Sequence, residues 1–190
     1  MMDYDLRKYL KVYDNIFTPD FCAATVSQLE KAPWIRHAYN DPVADRNASY
    51  EDDLYVTGYE IPNKQKIDNE IWNVINTYLR TDMGFVNSWY SSWQGYTLSR
   101  FNRYSPGERM RVHCDHIHSI FDGSRKGIPV LTVLGGLNND YEGGDLVLWE
   151  KEKIELKAGS VMVFPSNFLY PHRVDPTTTG VRYSFVSWVW

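Results

Sequence analysis

An antiparallel β-sandwich or barrel braced by helices is the fold the sequence predicts, and three observations carry that reading. From Gly95 onward the chain consists of short runs rich in β-branched and aromatic residues, separated by turn signals. Helical periodicity is confined to the first half. Aromatic residues make up 15% of the chain, with 7 Trp and 14 Tyr, more than a small helical bundle needs. At 190 residues and 43% hydrophobic content, the expectation is a single domain over residues 1–190, with a helical front at 1–94 and a β core at 95–190.

The first helix begins at Phe17-Thr18-Pro19-Asp20. Thr18 can cap, Pro19 suits the first turn, and Asp20 favours the positive end of the helix dipole. Cys22, Val26 and Leu29 then give one apolar face up to Ala32-Pro33. A second helix starts near Asn63, where Ile67, Ile71, Val74, Ile75 and Tyr78 keep a helical period until Met83-Gly84 breaks it. Between the two helices, the polar stretch from His37 to Asp53 reads as a long loop, either a functional lid or a disordered excursion. The strand candidates follow: Tyr96–Tyr104, Val130–Leu134, Asp145–Trp149, Ser160–Phe164 and Val181–Trp188. Turn signals separate them at Ser105-Pro106-Gly107, Asn138-Asn139-Asp140, Gly143-Gly144 and Ala158-Gly159. Such a succession of short strands after two helices is the pattern of a closed or two-layered antiparallel sheet.

Charge and composition exclude several function classes. A net charge of −4 without a basic stripe gives no nucleic-acid signal. The two cysteines, Cys22 and Cys114, are too few for a disulfide framework and lack zinc-knuckle spacing. The N-terminus lacks the basic-then-apolar order of a signal peptide, and no apolar run approaches the roughly 20 residues of a membrane span. The expectation is a cytoplasmic protein without a membrane partner.

Chemistry concentrates in Val112-His113-Cys114-Asp115-His116-Ile117-His118. On a strand, residues two apart share a face, so His113 and Asp115 can present an imidazole and a carboxylate together. A third ligand would complete a two-His, one-carboxylate triad, which binds iron(II) on one side and leaves the opposite positions open. His172 is the histidine in a later strand region able to return beside the cluster. A lone His-x-Asp is common by chance, and the pair His116-x-His118 offers a competing chelate. Ten residues after His172, Arg182 and Ser184 share a strand face and form a fork for a carboxylate. In isolation, Arg182 would read as an exposed strand charge.

Taken in order, these pieces resemble the prolyl 4-hydroxylase group of the iron(II)/2-oxoglutarate dioxygenases. The similar segments are Arg100-Phe-Asn-Arg-Tyr104-Ser-Pro-Gly107, His113-x-Asp115, Val133-Leu-Gly-Gly-Leu137-Asn138, Tyr141-Glu142-Gly143-Gly144-Asp145-Leu146, Lys157-Ala-Gly159-Ser-Val-Met-Val-Phe164, His172-Arg-Val174 and Arg182, and the front end from Tyr13 to Cys22 resembles the family's entry into its first helix. The resemblance implies a double-stranded β-helix, a cupin-like jelly roll, with the metal at one open end. It assigns His113, Asp115 and His172 as iron ligands, and Arg182 as the partner of the distal carboxylate of 2-oxoglutarate. Tyr104 is implied to hydrogen-bond the same cosubstrate, with Ser184 assisting. Gly143-Gly144 would bring a sheet edge close to the site, although a plain hairpin turn explains it equally well. Cys114 should point away from the metal into the core.

The implied activity is hydroxylation of an unactivated C–H bond with Fe(II), 2-oxoglutarate and O2, and with ascorbate as an accessory reductant. A peptidyl proline is the expected target, so the expected partner is a peptide or protein substrate. The same chemistry on another side chain, a free amino acid or a nucleobase stays open. So do an inactive jelly-roll binding module and a zinc-dependent cupin-like enzyme. The stretches His37–Asp53 and Ser119–Gly127 are candidate substrate flaps, through Tyr39, Asn40, Arg46, Tyr50, Phe121, Arg125 and Lys126.

Overall fold

The computed structural model describes residues 5–41, 46–84, 95–116 and 128–190. After a single 3₁₀ turn, Leu6–Tyr9, comes β1 (Lys11–Tyr13). Helix α1 (Pro19–Leu29) starts where the sequence puts it, with Thr18 Oγ1 accepting the Phe21 N–H at 3.3 Å. Four short strands follow: β2 (Ile35–Arg36), β3 (Tyr39–Asp41), β4 (Arg46–Ala48) and β5 (Tyr55–Thr57). Helix α2 (Lys64–Thr77) runs into a π-helical turn, Tyr78–Asp82, and ends before Gly84, whose φ of 64° is left-handed.

The β core comprises β6 (Arg100–Tyr104), β7 (Met110–His113), β8 (Leu131–Gly136), β9 (Tyr141–Gly143), β10 (Leu146–Leu148), β11 (Glu152–Ile154), β12 (Val161–Pro165), β13 (His172–Val174), β14 (Thr177–Gly180) and β15 (Arg182–Val189). A seven-stranded sheet has the order β1-β12-β8-β15-β6-β5-β2, and a four-stranded sheet the order β11-β10-β13-β7. Among the described residues, all pairings between these named strands are antiparallel. The architecture is mainly β, a jelly roll with helices on its outer face.

Strand alternation divides the large sheet into two sides. Val161 and Val163 of β12, Phe101 of β6 and Phe185 of β15 pack on Leu29 of α1 and on Ile67, Ile71, Val74 and Ile75 of α2. Their neighbours Met162, Phe164 and Tyr104 turn the other way and meet Met110, Leu146, Leu148 and Val174 of the small sheet. The second cluster is therefore the interior of the jelly roll, and the first is the layer that fixes the helices to its back.

Two expectations change. The front of the chain is more than helical, since β1, β2 and β5 complete the large sheet. The stretch His37–Asp53 is more than a loop: β3 and β4 pair, and Tyr39 ties them to β7 by accepting the Arg111 N–H at 3.2 Å and donating to Met110 Sδ at 3.1 Å. Polar strands at a sheet margin carry no apolar alternation, so the sequence gives them no signal. The candidate flap Ser119–Gly127 and His118 lie outside the described residues. Among the described residues, no helix is long and apolar enough to cross a membrane.

Candidate metal centre

The two histidines are brought together by strand register. His113 ends β7 and His172 opens β13, and the two are directly paired, with ring centroids 4.3 Å apart. Asp115 lies beyond the end of β7, in a bend, so the strand alternation expected of His113-x-Asp115 is not what aligns it. The bend instead folds the carboxylate back between the rings, with Oδ1 3.3 Å from His113 Nε2 and Oδ2 3.7 Å from His172 Nε2. One ligand atom from each of His113, Asp115 and His172 lies within 4.8 Å of the others.

Supporting hydrogen bonds fix which atoms face inward. His113 Nδ1 lies 2.8 Å from the Arg111 carbonyl and His172 Nδ1 lies 3.1 Å from the Tyr170 carbonyl. A carbonyl can only accept, so each Nδ1 carries the proton and each Nε2 keeps its lone pair for the centre. Thr132 Oγ1 donates to Asp115 Oδ2 at 2.7 Å, so the Ser166 hydroxyl, 2.8 Å away, must donate to Thr132. Burial opposes the charge on Asp115. His172, His113 and the Thr132 hydroxyl nevertheless hold its carboxyl well below the usual carboxylate range. His172 is pushed down to about 4 by burial and then by His113, which keeps the ring neutral and able to ligate. Two imidazoles and a carboxylate, with no thiolate among them, are a donor set that fits iron(II).

Of the competing pair, His118 lies outside the described residues, and His116 is exposed and stands outside the His113–Asp115–His172 cluster. Cys114 is not among the clustered donors, and it is partly exposed rather than a core residue.

Arg182 opens β15 and pairs with Tyr104 of β6, while Ser184 pairs with Asn102. All four are buried and line one cavity together with His113, Asp115 and His172. The Arg182 guanidinium stacks over Tyr104 at 5.0 Å and donates to Ser184 Oγ at 3.1 Å. It is 4% exposed and has no carboxylate in ion-pair range among the described residues. A buried guanidinium in that state is suited to pair with an anion that enters the cavity. Gly144 does approach the site: at φ 61°, a Cβ there would stand 3.0 Å from Arg182 Cδ. Leu54, Met110, Leu134, Leu146, Leu156 and Val174 supply the apolar wall.

Several residues in or behind the cavity escape sequence reasoning. Thr132 and Ser166 read as ordinary strand and turn residues. Arg100, Asn102 and Trp188 were legible in principle, since they share the alternation of Tyr104 and of Arg182-x-Ser184.

Comparison with known proteins agrees with this geometry. Residues 99–190 match the model of the 2OG-Fe(II) oxygenase superfamily. The chain is 38% identical over 93 residues to a PKHD-type hydroxylase of Shewanella oneidensis, covering 47% of this chain and 41% of that protein. It is 36% identical over 91 residues to one of Idiomarina loihiensis, covering 46% and 39%. The matches thus span about two fifths of the length of these relatives. Among solved structures, the chain is similar to a viral collagen prolyl hydroxylase from Paramecium Bursaria Chlorella virus-1, with TM-score 0.66, 16% identity and coverage of 95% and 94%. A Pseudomonas putida prolyl-4-hydroxylase gives TM-score 0.65 at 18% identity, with coverage of 95% and 91%. A Trichoplax adhaerens prolyl hydroxylase, solved with a hypoxia inducible factor peptide fragment, gives 0.66 at 18% identity, with coverage of 96% and 84%. Over residues 99–190 the chain is therefore similar to the 2OG-Fe(II) oxygenase superfamily, and its fold resembles that of a prolyl-4-hydroxylase.

Proposed function

We propose that the chain is an iron(II)- and 2-oxoglutarate-dependent dioxygenase that hydroxylates a prolyl residue within a peptide or protein, with residues 1–190 acting as one catalytic unit. The observation that carries the reading is the pairing, in one cavity, of a convergent His113–Asp115–His172 set with a buried Arg182 that lacks an anion. His113, Asp115 and His172 hold the iron, which supplies activation of O2 and of the C–H bond when bound. Ascorbate would serve as accessory reductant.

The chain's own residues bind, orient and exclude water. Arg182 receives the distal carboxylate of 2-oxoglutarate, with Ser184 positioning its guanidinium and Tyr104 stacked against it. The Ser166–Thr132 relay holds the Asp115 carboxylate in one rotamer, and the Arg111 and Tyr170 carbonyls fix both imidazole tautomers. The apolar wall limits water at the reacting centre.

The prolyl reading draws support from the solved neighbours, which are prolyl hydroxylases, one of them with a peptide bound. The β3–β4 segment beside β7 offers aromatic surface through Tyr39 and Tyr50, and proline-rich segments are already extended and dock well on such surfaces. Mass spectrometry of prolyl peptides incubated with enzyme, Fe(II), 2-oxoglutarate and O2 tests it. One added oxygen on proline, matched to succinate formed, is expected. Far better turnover of free proline or a nucleobase than of any prolyl peptide would overturn the substrate and leave the oxygenase chemistry.

A further inference from the structure

The face of β6 and β15 that carries Tyr104 and Arg182 continues past them. Register pairs Tyr104 with Arg182, Asn102 with Ser184 and Arg100 with Val186, and Trp188 follows on the same side. At about 3.3 Å per residue, Arg100 lies roughly 13 Å from Tyr104 along the strand. Arg100 and Trp188 line the same cavity as the His113–Asp115–His172 set.

The Arg100 guanidinium lies 4.8 Å over the Trp188 ring, a stack that holds its orientation. Its Nε is buried without a hydrogen-bond partner, and so is the Trp188 indole Nε1. Both atoms can only donate. Arg100 makes no ion pair among the described residues. The carboxylate nearest in kind, Asp115, already accepts from Thr132 and faces both histidine rings. Two buried donor atoms without partners, on a partly buried arginine and a buried tryptophan, carry a desolvation cost that a bound acceptor would offset.

The loaded centre would not relieve this. Iron(II), Arg182 and Arg100 bring four positive charges to the cavity, whereas Asp115 and dianionic 2-oxoglutarate bring three negative ones. We propose that Arg100 and Trp188 form a second anion subsite, which receives a carboxylate of the substrate undergoing hydroxylation. The inference rests on the oxygenase reading of the cavity but not on proline as the target. The carboxylate is either the α-carboxylate of a free or chain-terminal residue, or an acidic side chain next to the modified residue.

The test uses matched acid and amide compounds with the iron-loaded enzyme. The pairs are proline and prolinamide, a peptide ending in proline and its C-terminal amide, and internal Pro-Asp and Pro-Asn peptides, with the same pairs carrying leucine in place of proline. Tryptophan fluorescence reads binding, and succinate formation reads turnover. At least one acid should bind tenfold or more tighter than its amide, and the pair that shows the preference identifies the source. Arg100→Met should remove that preference, Arg100→Lys should restore part of it, and Trp188→Phe should reduce it severalfold. The constant for 2-oxoglutarate should not change in Arg100→Met, and the melting temperature should not fall. Acid preference confined to leucine compounds would remove the prolyl reading and keep the subsite. Overturning results are equal binding of every acid and amide, including no binding of any, a raised 2-oxoglutarate constant in Arg100→Met, or a melting temperature that drops with it.

Discussion

The two sides of the seven-stranded sheet are made from alternate residues of the same strands, yet they obey different rules. On the helix side, Phe101, Val133, Val161, Val163 and Phe185 bury apolar surface against α1 and α2. On the cavity side, the intervening positions of β6 and β15 hold Arg100, Asn102, Tyr104, Arg182 and Ser184. Apolar burial accounts for the first set at about 25 cal/mol per Å². Apolar burial does not account for the charges of the second, since a guanidinium withdrawn from water without a carboxylate partner opposes the folded state. The difference separates what holds this molecule together from what it is for.

The sharpest contrast should come from Phe185 and Arg182, three positions apart on β15. Phe185 is fully buried and lies over Gly135, where a Cβ would stand 2.0 Å from its ring. Phe185→Ala should lower unfolding free energy by about 3–5 kcal/mol, measured by chemical denaturation. Its folded fraction should bind 2-oxoglutarate as the parent does. A loss of cosubstrate affinity in that folded fraction would break the division between the two sides.

Arg182→Ala should show the reverse. A charge-assisted contact contributes about 1.5–3 kcal/mol, so the apparent constant for 2-oxoglutarate should rise at least tenfold while iron affinity changes little. Steady-state kinetics with varied 2-oxoglutarate read this directly. An unchanged constant would remove Arg182 from the cosubstrate site and leave the cavity side without its main anion partner.

The contrast also explains what could be read from the sequence. Thr18, Pro19 and the period of Ile67, Ile71, Val74 and Ile75 announce both helices because capping and amphipathicity are local. The strands β8, β12 and β15 are announced by their β-branched and aromatic runs. Strands β3 and β4 are silent because their hold on β7 runs through Tyr39, a contact between residues 72 apart. The candidate ligands were legible as chemistry, but the alignment of Asp115 was not. A bend and a hydroxyl relay from Ser166 through Thr132 set it, and no short motif encodes them. Arg100 went unassigned for a different reason. A strand arginine is usually solvated, and only the cavity shows this one facing inward with Nε unpartnered.

We propose that the cavity side gathers iron and 2-oxoglutarate through His113, Asp115, His172 and Arg182. Anaerobic titration of Fe(II) into the protein with 2-oxoglutarate present, followed by visible absorption, tests it most directly. The account predicts a visible band that saturates at a single iron in the parent protein and in His116→Ala, and that is absent in His172→Ala although that variant stays folded. A band of undiminished intensity in His172→Ala, or one lost in His116→Ala instead, would contradict it.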